Sequence, residues 1–174
     1  RLSEAVAELL EASVRIHGAA VVEIDLDPIA ANPDAARYLL KTLTAVIGGE
    51  THGPGKAALA DILAMAEAPH GARMTAGRCL FERNRTRLFT LREWRGLERI
   101  EVRPHTTCIW DGRWRIDNRS DKSVEIGPAG MDYEPIEAFA ALPPRLSKLA
   151  RSTMPSAAQG ALPQGVAISR ILSP

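Results

Sequence analysis

Near residue 74 the spacing of apolar residues changes from about 3.6 to 2, and few folds accommodate that switch inside one short chain. Upstream, Leu2, Val6, Leu9, Leu10 and Val14 recur at helical spacing. So do Leu39, Leu40, Leu43, Val46 and Ile47, and then Leu59, Ile62, Leu63 and Ala66. From Met74 onward the pattern becomes short alternating runs separated by turn residues. Helices first and hairpins second imply an α+β fold. The expected order is an N-terminal helical subdomain over 1–70, a small antiparallel β-hairpin or meander module over 71–130, and a weakly structured, partly helical C-terminal part over 131–174.

Local punctuation refines this. A first helix is expected over 1–17, with Ser3 as N-cap and Gly18 as its stop. Val21, Val22 and Ile24 predict a brief extended segment. Asn32 as N-cap, Pro33 at the first helical position and Asp34 against the dipole open a second helix that Gly48-Gly49 ends. A third runs from about Lys56 to Ala66. In the strand region, segments 78–82 and 86–93 flank Arg83-Asn84-Arg85, a turn in which Asn84 can tolerate positive φ. Segments 106–110 and 113–117 flank Asp111-Gly112, a preferred type I′ pair. A further extended piece is expected over 123–126, with helical pieces over 134–142 and 145–152 separated at Pro143-Pro144. Beyond Thr153 the composition supports no assignment.

Composition matters mainly for what it excludes. Apolar residues make up 45% and charged residues 25%, as in an ordinary globular protein. No apolar run reaches the roughly 20 residues of a membrane span, and residues 2–5 open a helix rather than a secretion signal. The two cysteines, Cys79 and Cys108, are expected to be reduced and partly buried in a cytoplasmic protein. A start at Arg1 without Met fits a piece of something longer. Charge is unevenly distributed along the chain. Residues 73–122 carry 13 Lys/Arg against 7 Asp/Glu, whereas residues 1–72 carry 5 against 10. Such asymmetry points to an anionic partner.

The catalytic patterns fail one by one. Gly53-Pro54-Gly55-Lys56 lacks the earlier Gly and the following Ser/Thr of a phosphate loop, since Glu50 and Ala57 stand there. His105 and Cys108 are three apart in an extended stretch, so they face opposite sides and make no dyad. His17, His52 and His70 fall on separate elements without ligand spacing, and no metal is expected. What remains is arginine. Arg83, Arg85 and Arg87 cluster at one hairpin, Arg113 and Arg115 alternate with Trp114 in the other, and Arg78 lies nearby. Guanidinium forks match phosphate oxygens. The competing reading is a solvated face paired with Glu82, Glu93 and Asp117, while Trp110 and Trp114 are read first as core.

Three stretches in order, 71–79 (Gly-Ala-Arg-Met-Thr-Ala-Gly-Arg-Cys), 88–93 (Leu-Phe-Thr-Leu-Arg-Glu) and 110–116 (Trp-Asp-Gly-Arg-Trp-Arg-Ile), follow the helix, Gly-Gly and Pro-containing loop. This arrangement resembles the C-terminal half of bacterial tRNA(Ile)-lysidine synthase, chiefly over 33–118. The resemblance implies a parent enzyme that uses ATP, with Mg2+, to attach lysine to the wobble cytidine of a CAU-anticodon isoleucine tRNA. The family's Ser-Gly-Gly-x-Asp-Ser loop has no match here, so no catalytic residue carries over and the chain alone is expected to be inactive and free of cofactor. The resemblance further implies a tRNA-gripping region, with Arg37 and Lys56 joining Arg78, Arg83, Arg85, Arg87, Arg113 and Arg115 as RNA-binding candidates. The alternative is an assembly module that packs Ala5, Ala12, Ala36, Ala57 and Ala60 against a partner domain or a second copy.

Overall fold

The structure, a computed structural model, describes residues 2–130, 137–158 and 160–171. It divides into two units, Arg1–Glu93 and Trp94–Pro174. The 71–130 stretch expected to form one module is therefore shared: its first hairpin completes the sheet of the first unit, and its second belongs to the other.

In the first unit the order is α1 (Leu2–Ser13), β1 (Val14–His17), β2 (Val21–Asp25), α2 (Leu26–Ala31), α3 (Pro33–Gly48), α4 (Lys56–Ala64), β3 (Arg73–Ala76), β4 (Cys79–Asn84) and β5 (Arg87–Arg92). The strands form one antiparallel sheet in the order β1-β2-β5-β4-β3. Alternation along β2, β4 and β5 sends Val22, Ile24, Cys79, Phe81 and Leu88 into a core shared with Leu9, Leu39, Leu40, Ile47, Leu59 and Ile62. Each such side chain contributes about 1.5–3 kcal/mol on leaving water.

Helix α3 begins and ends where local chemistry predicts. Asn32 accepts from the Ala35 N–H, Pro33 opens the first turn, and Gly49 caps at φ 70. Gly48 has a non-local duty, because a Cβ there would lie 2.3 Å from the Gly77 carbonyl oxygen. The first helix is shorter than expected. It stops at Ser13, and 14–17 become a strand paired with β2, so Gly18 (φ 54) with Ala19 (φ 55) makes a hairpin turn. Pairing to β2 satisfies the backbone of 14–17 as a helix would, and the strand places Val14 against the core. Helix α4 closes at Ala64, two residues early. In the β4–β5 hairpin Asn84 pairs with Arg87, so Arg85, not Asn84, takes the positive φ of 55.

The second unit contains β6 (Ile100–Val102), β7 (Thr106–Trp110), β8 (Trp114–Asn118), β9 (Val124–Pro128), a 3-10 turn (Glu137–Phe139), α5 (Pro144–Ser152), β10 (Pro155–Ala157) and β11 (Val166–Arg170). These strands make two three-stranded antiparallel sheets, β10-β9-β6 and β11-β8-β7. Val102, Trp110, Trp114, Ile116, Val124, Ile126 and Ala157 form its core, as expected for the tryptophans. The helix expected over 134–142 falls partly outside the described residues; of the rest, only the single 3-10 turn is helical. The segment beyond Thr153 supplies β10 and β11, whose small and β-branched residues complete both sheets. No helix among the described residues is long and apolar enough to cross a membrane.

Candidate nucleic-acid interface

In the first unit folding cancels the charge concentration seen along the chain. Residues 1–93 carry 11 Lys/Arg against 12 Asp/Glu, and residues 94–174 carry 11 against 9. Carboxylates on β2 and β4, and Glu50 just after α3, meet the arginines of this unit. Arg87 lies 3.0 Å from Glu23 and 3.5 Å from Asp25. Arg15 and His17 share that Glu23 at 3.9 and 2.8 Å. Arg73 pairs with Glu82 at 2.7 Å, and Arg78 with Glu50 at 3.1 Å. Arg83 donates from Nε to the Arg85 carbonyl at 3.0 Å, and from a terminal nitrogen to the Ala68 carbonyl. It thereby braces the strained Arg85 turn, whose N–H donates to His70 Nδ1 at 3.2 Å. Arg92 is buried and donates to the carbonyls of Arg78 and Glu93.

Arg78, Arg83 and Arg87 are thus held by their own fold. Arg37 on α3 and Lys56 at the start of α4 are exposed, with no ion-pair partner among the described residues. Ala36 is fully buried and Ala5 packs on the core, leaving Ala12, Ala57 and Ala60 of the small-residue positions on the surface.

In the second unit the 110–116 stretch is chiefly a structural knot. Asp111 (φ 53) and Gly112 (φ 66) make the expected primed turn, closed by Arg113 N–H to the Trp110 carbonyl at 3.1 Å. Trp110 donates from Nε1 to the Glu98 carbonyl at 2.9 Å. Arg113 is 1% exposed, which removes it from the RNA-contact candidates. Its Nε reaches Asp111 at 2.7 Å and a terminal nitrogen reaches the Thr153 carbonyl at 2.9 Å. The alternation that would pair it outward with Arg115 fails because the turn consumes residue 113, so β8 starts at Trp114. Trp114 lies under the Arg170 guanidinium, 5.3 Å from the ring centroid. Burial lowers the Arg170 pKa from its ordinary value, and the Asp111 charge opposes this.

Arg115 differs. Register sets Thr107, Asp117 and Ala167 in one row across β7, β8 and β11, and Ile109, Arg115 and Ser169 in the next. All are exposed except the half-buried Asp117. Arg115 Nε lies 3.1 and 3.0 Å from the two Asp117 oxygens, and the Thr107 hydroxyl donates to Asp117 Oδ1 at 2.5 Å. The Thr107 hydrogen bond, then the Arg115 contact and the Arg115 and Arg119 charges, hold the Asp117 carboxyl below its ordinary range despite an opposing desolvation. Burial first, then the Asp117 charge, raises the Cys108 thiol.

One end of this face opens into a polar groove of about 280 Å³ lined by His105, Thr106, Thr107, Arg115, Asp117, Asn118 and Arg119. Its architect is Asn118, 1% exposed. Its amide donates to the carbonyls of Val102, Arg103 and Lys122 at 3.0, 3.1 and 2.9 Å. Its oxygen accepts from the Ser120 N–H at 3.0 Å and hydroxyl at 2.7 Å. Asn118 therefore fixes the backbone that carries exposed Arg103, Arg119 and Lys122. None of these four was singled out from sequence. The available signal was the polar run 117–123 after a strand, which ordinarily means no more than a turn. Among the described residues no three His, Cys, Asp or Glu side chains stand close enough to hold a metal ion.

Comparison with known proteins agrees with the family resemblance. A tRNA(Ile)-lysidine synthase from Rhizobium meliloti is 31% identical over 159 residues, 87% of this chain and 34% of that protein. The chain is related to the tRNA(Ile)-lysidine synthases. Enzymes of that name from Bartonella quintana and Bartonella tribocorum match at 39% over 59 residues and 33% over 64. Those matches cover 34% and 37% of this chain, and 12% and 13% of theirs. The chain thus spans about a third of the length of the Rhizobium lysidine synthase. No family model and no solved structure matches it. Within the 110–116 stretch that carried part of the lysidine synthase likeness, Trp110, Asp111, Arg113 and Trp114 serve the fold, while the Arg115 side chain is turned to solvent.

Proposed function

We propose that this chain grips tRNA for a tRNA(Ile)-lysidine synthase, and that the second unit meets the RNA backbone through the groove beside β7 and β8. The adenylation of the wobble cytidine and its ligation to lysine, with their ATP and Mg2+, belong to sequence outside this chain, in a cytoplasmic enzyme acting on CAU-anticodon isoleucine tRNA. The observation that carries this reading is the groove itself, where Arg115 and Arg119 line an open polar trough beside Arg103 and Lys122. A-form RNA is met mainly through phosphates and 2′-hydroxyls rather than base edges, and short polar side chains such as Thr106 and Thr107 suit that contact. Arg37 and Lys56 remain candidates for separate contacts from the first unit.

Titration of labelled isoleucine tRNA at two salt concentrations tests the proposal. If four phosphates are engaged, affinity falls on the order of 100-fold between about 50 and 200 mM salt. Absence of binding at the lower salt, or indifference to salt, overturns it.

A further inference from the structure

The Arg115–Asp117 contact has two opposite meanings for an anionic ligand. A carboxylate beside an arginine cancels its charge and competes with phosphate. It also fixes the guanidinium in one orientation. The geometry favours the second role. Asp117 engages Arg115 through Nε alone, at 3.1 and 3.0 Å, which leaves the two terminal nitrogens and their four N–H groups unengaged among the described residues. Arg115 is half-exposed, with a side-chain exposure of 54%. Asp117 is itself anchored from behind by the Thr107 hydroxyl on the adjacent strand. The neighbours across the sheet are short on one side, Ala167 and Ser169, so nothing bulky stands over that edge of the guanidinium.

We infer that Asp117 is a positioning residue, held by Thr107, that presents the terminal nitrogens of Arg115 as a bidentate clamp for one phosphate of the bound RNA. This rests on the groove being an RNA surface. A bidentate arginine–phosphate contact gains from a pre-set orientation because less side-chain freedom is lost on binding. The chain thereby gives up one unit of net positive charge for geometry.

The sign of a substitution distinguishes the two roles. Asp117→Ala removes a negative charge; if the carboxylate merely neutralises Arg115, tRNA binds more tightly. Positioning predicts weaker binding by about three- to tenfold, approaching the roughly tenfold loss expected for Arg115→Ala. In the Arg115→Ala background the same Asp117→Ala change should instead strengthen binding, since only its charge then matters. Thr107→Val changes no charge and suits a strand; it should weaken binding about two- to threefold through loss of the anchor, and have no further effect in the Asp117→Ala background, where loss of a direct Thr107 contact to RNA would still show. Thermal melts of each variant confirm the fold. Salt-independent or absent binding by the unsubstituted chain sinks the RNA reading and this inference with it. Salt-dependent binding that tightens with Asp117→Ala, or ignores Thr107→Val, leaves the RNA reading standing and overturns the positioning role alone.

Discussion

Replacing Arg113 by alanine separates a structural arginine from an RNA contact. The guanidinium is 1% exposed and its partner Asp111 side chain 3% exposed, joined at 2.7 Å. Removing one member of such a buried pair typically costs about 3–5 kcal/mol, because the remaining charge keeps its desolvation and loses its partner. The Thr153 carbonyl also loses its donor, while Arg170 partly compensates Asp111. The low end of that range, about 3 kcal/mol, is therefore expected. In a unit of this size 1 kcal/mol shifts the melting temperature by about 4–8 °C, so the fall is at least about 12 °C. The assay is convenient, since Trp94, Trp110 and Trp114 are the chain's three tryptophans and all lie in the second unit. Tryptophan fluorescence during thermal or urea unfolding thus reports that unit alone. A variant that unfolds within 1 kcal/mol of the parent chain yet binds tRNA poorly would refute the structural role and restore Arg113 to the interface.

Other outcomes follow from the same packing. Asn118→Ala strips three carbonyls of one donor group and should destabilise the second unit by about 1–3 kcal/mol, read by the same fluorescence, with faster hydrogen exchange over 119–123. Gly48→Ala drives a Cβ to 2.3 Å from a backbone oxygen and should cost the first unit about 1–3 kcal/mol by far-UV circular dichroism. In thiol titration of the folded chain Cys79 should stay silent, being buried, and Cys108 should react more slowly than free cysteine because burial and Asp117 raise its pKa. Asp117 is held below its ordinary pKa of 3.8. Any stability from its ionised form is therefore complete above that value and lost only as pH falls through the lowered one, so NMR should find its contact with Arg115 unchanged from about pH 5 to 8.

Sequence alone determined the features whose causes lie within a few residues. Asn32-Pro33-Asp34 and Gly48-Gly49 bracket α3, and Asp111-Gly112 turns the β7–β8 hairpin, because caps and primed turns are decided by local dihedrals and adjacent hydrogen-bond donors. The helices-then-strands class and the burial of both hairpin tryptophans were legible for a similar reason, from the period and apolarity of short segments. The strand at 14–17 was not, since its apolar spacing continues that of α1 and only the presence of β2 selects extension. Likewise β11 is formed by pairing with β8, some fifty positions earlier, and the alternation of Val166 and Ile168 alone is too short to predict it.

The fate of Arg78, Arg87 and the buried Arg113 belonged to tertiary structure, although the Arg113–Asp111 and Arg115–Asp117 contacts join residues only two apart. Arg87 meets Glu23 across 64 positions, Arg113 meets the Thr153 carbonyl across 40, and Arg78 meets Glu50 across 28. A count along the chain places these groups in different segments and shows a charge surplus; the fold places them within 3.2 Å and the surplus in the first unit disappears. Electrostatic interaction depends on distance through space, which a one-dimensional charge tally does not contain.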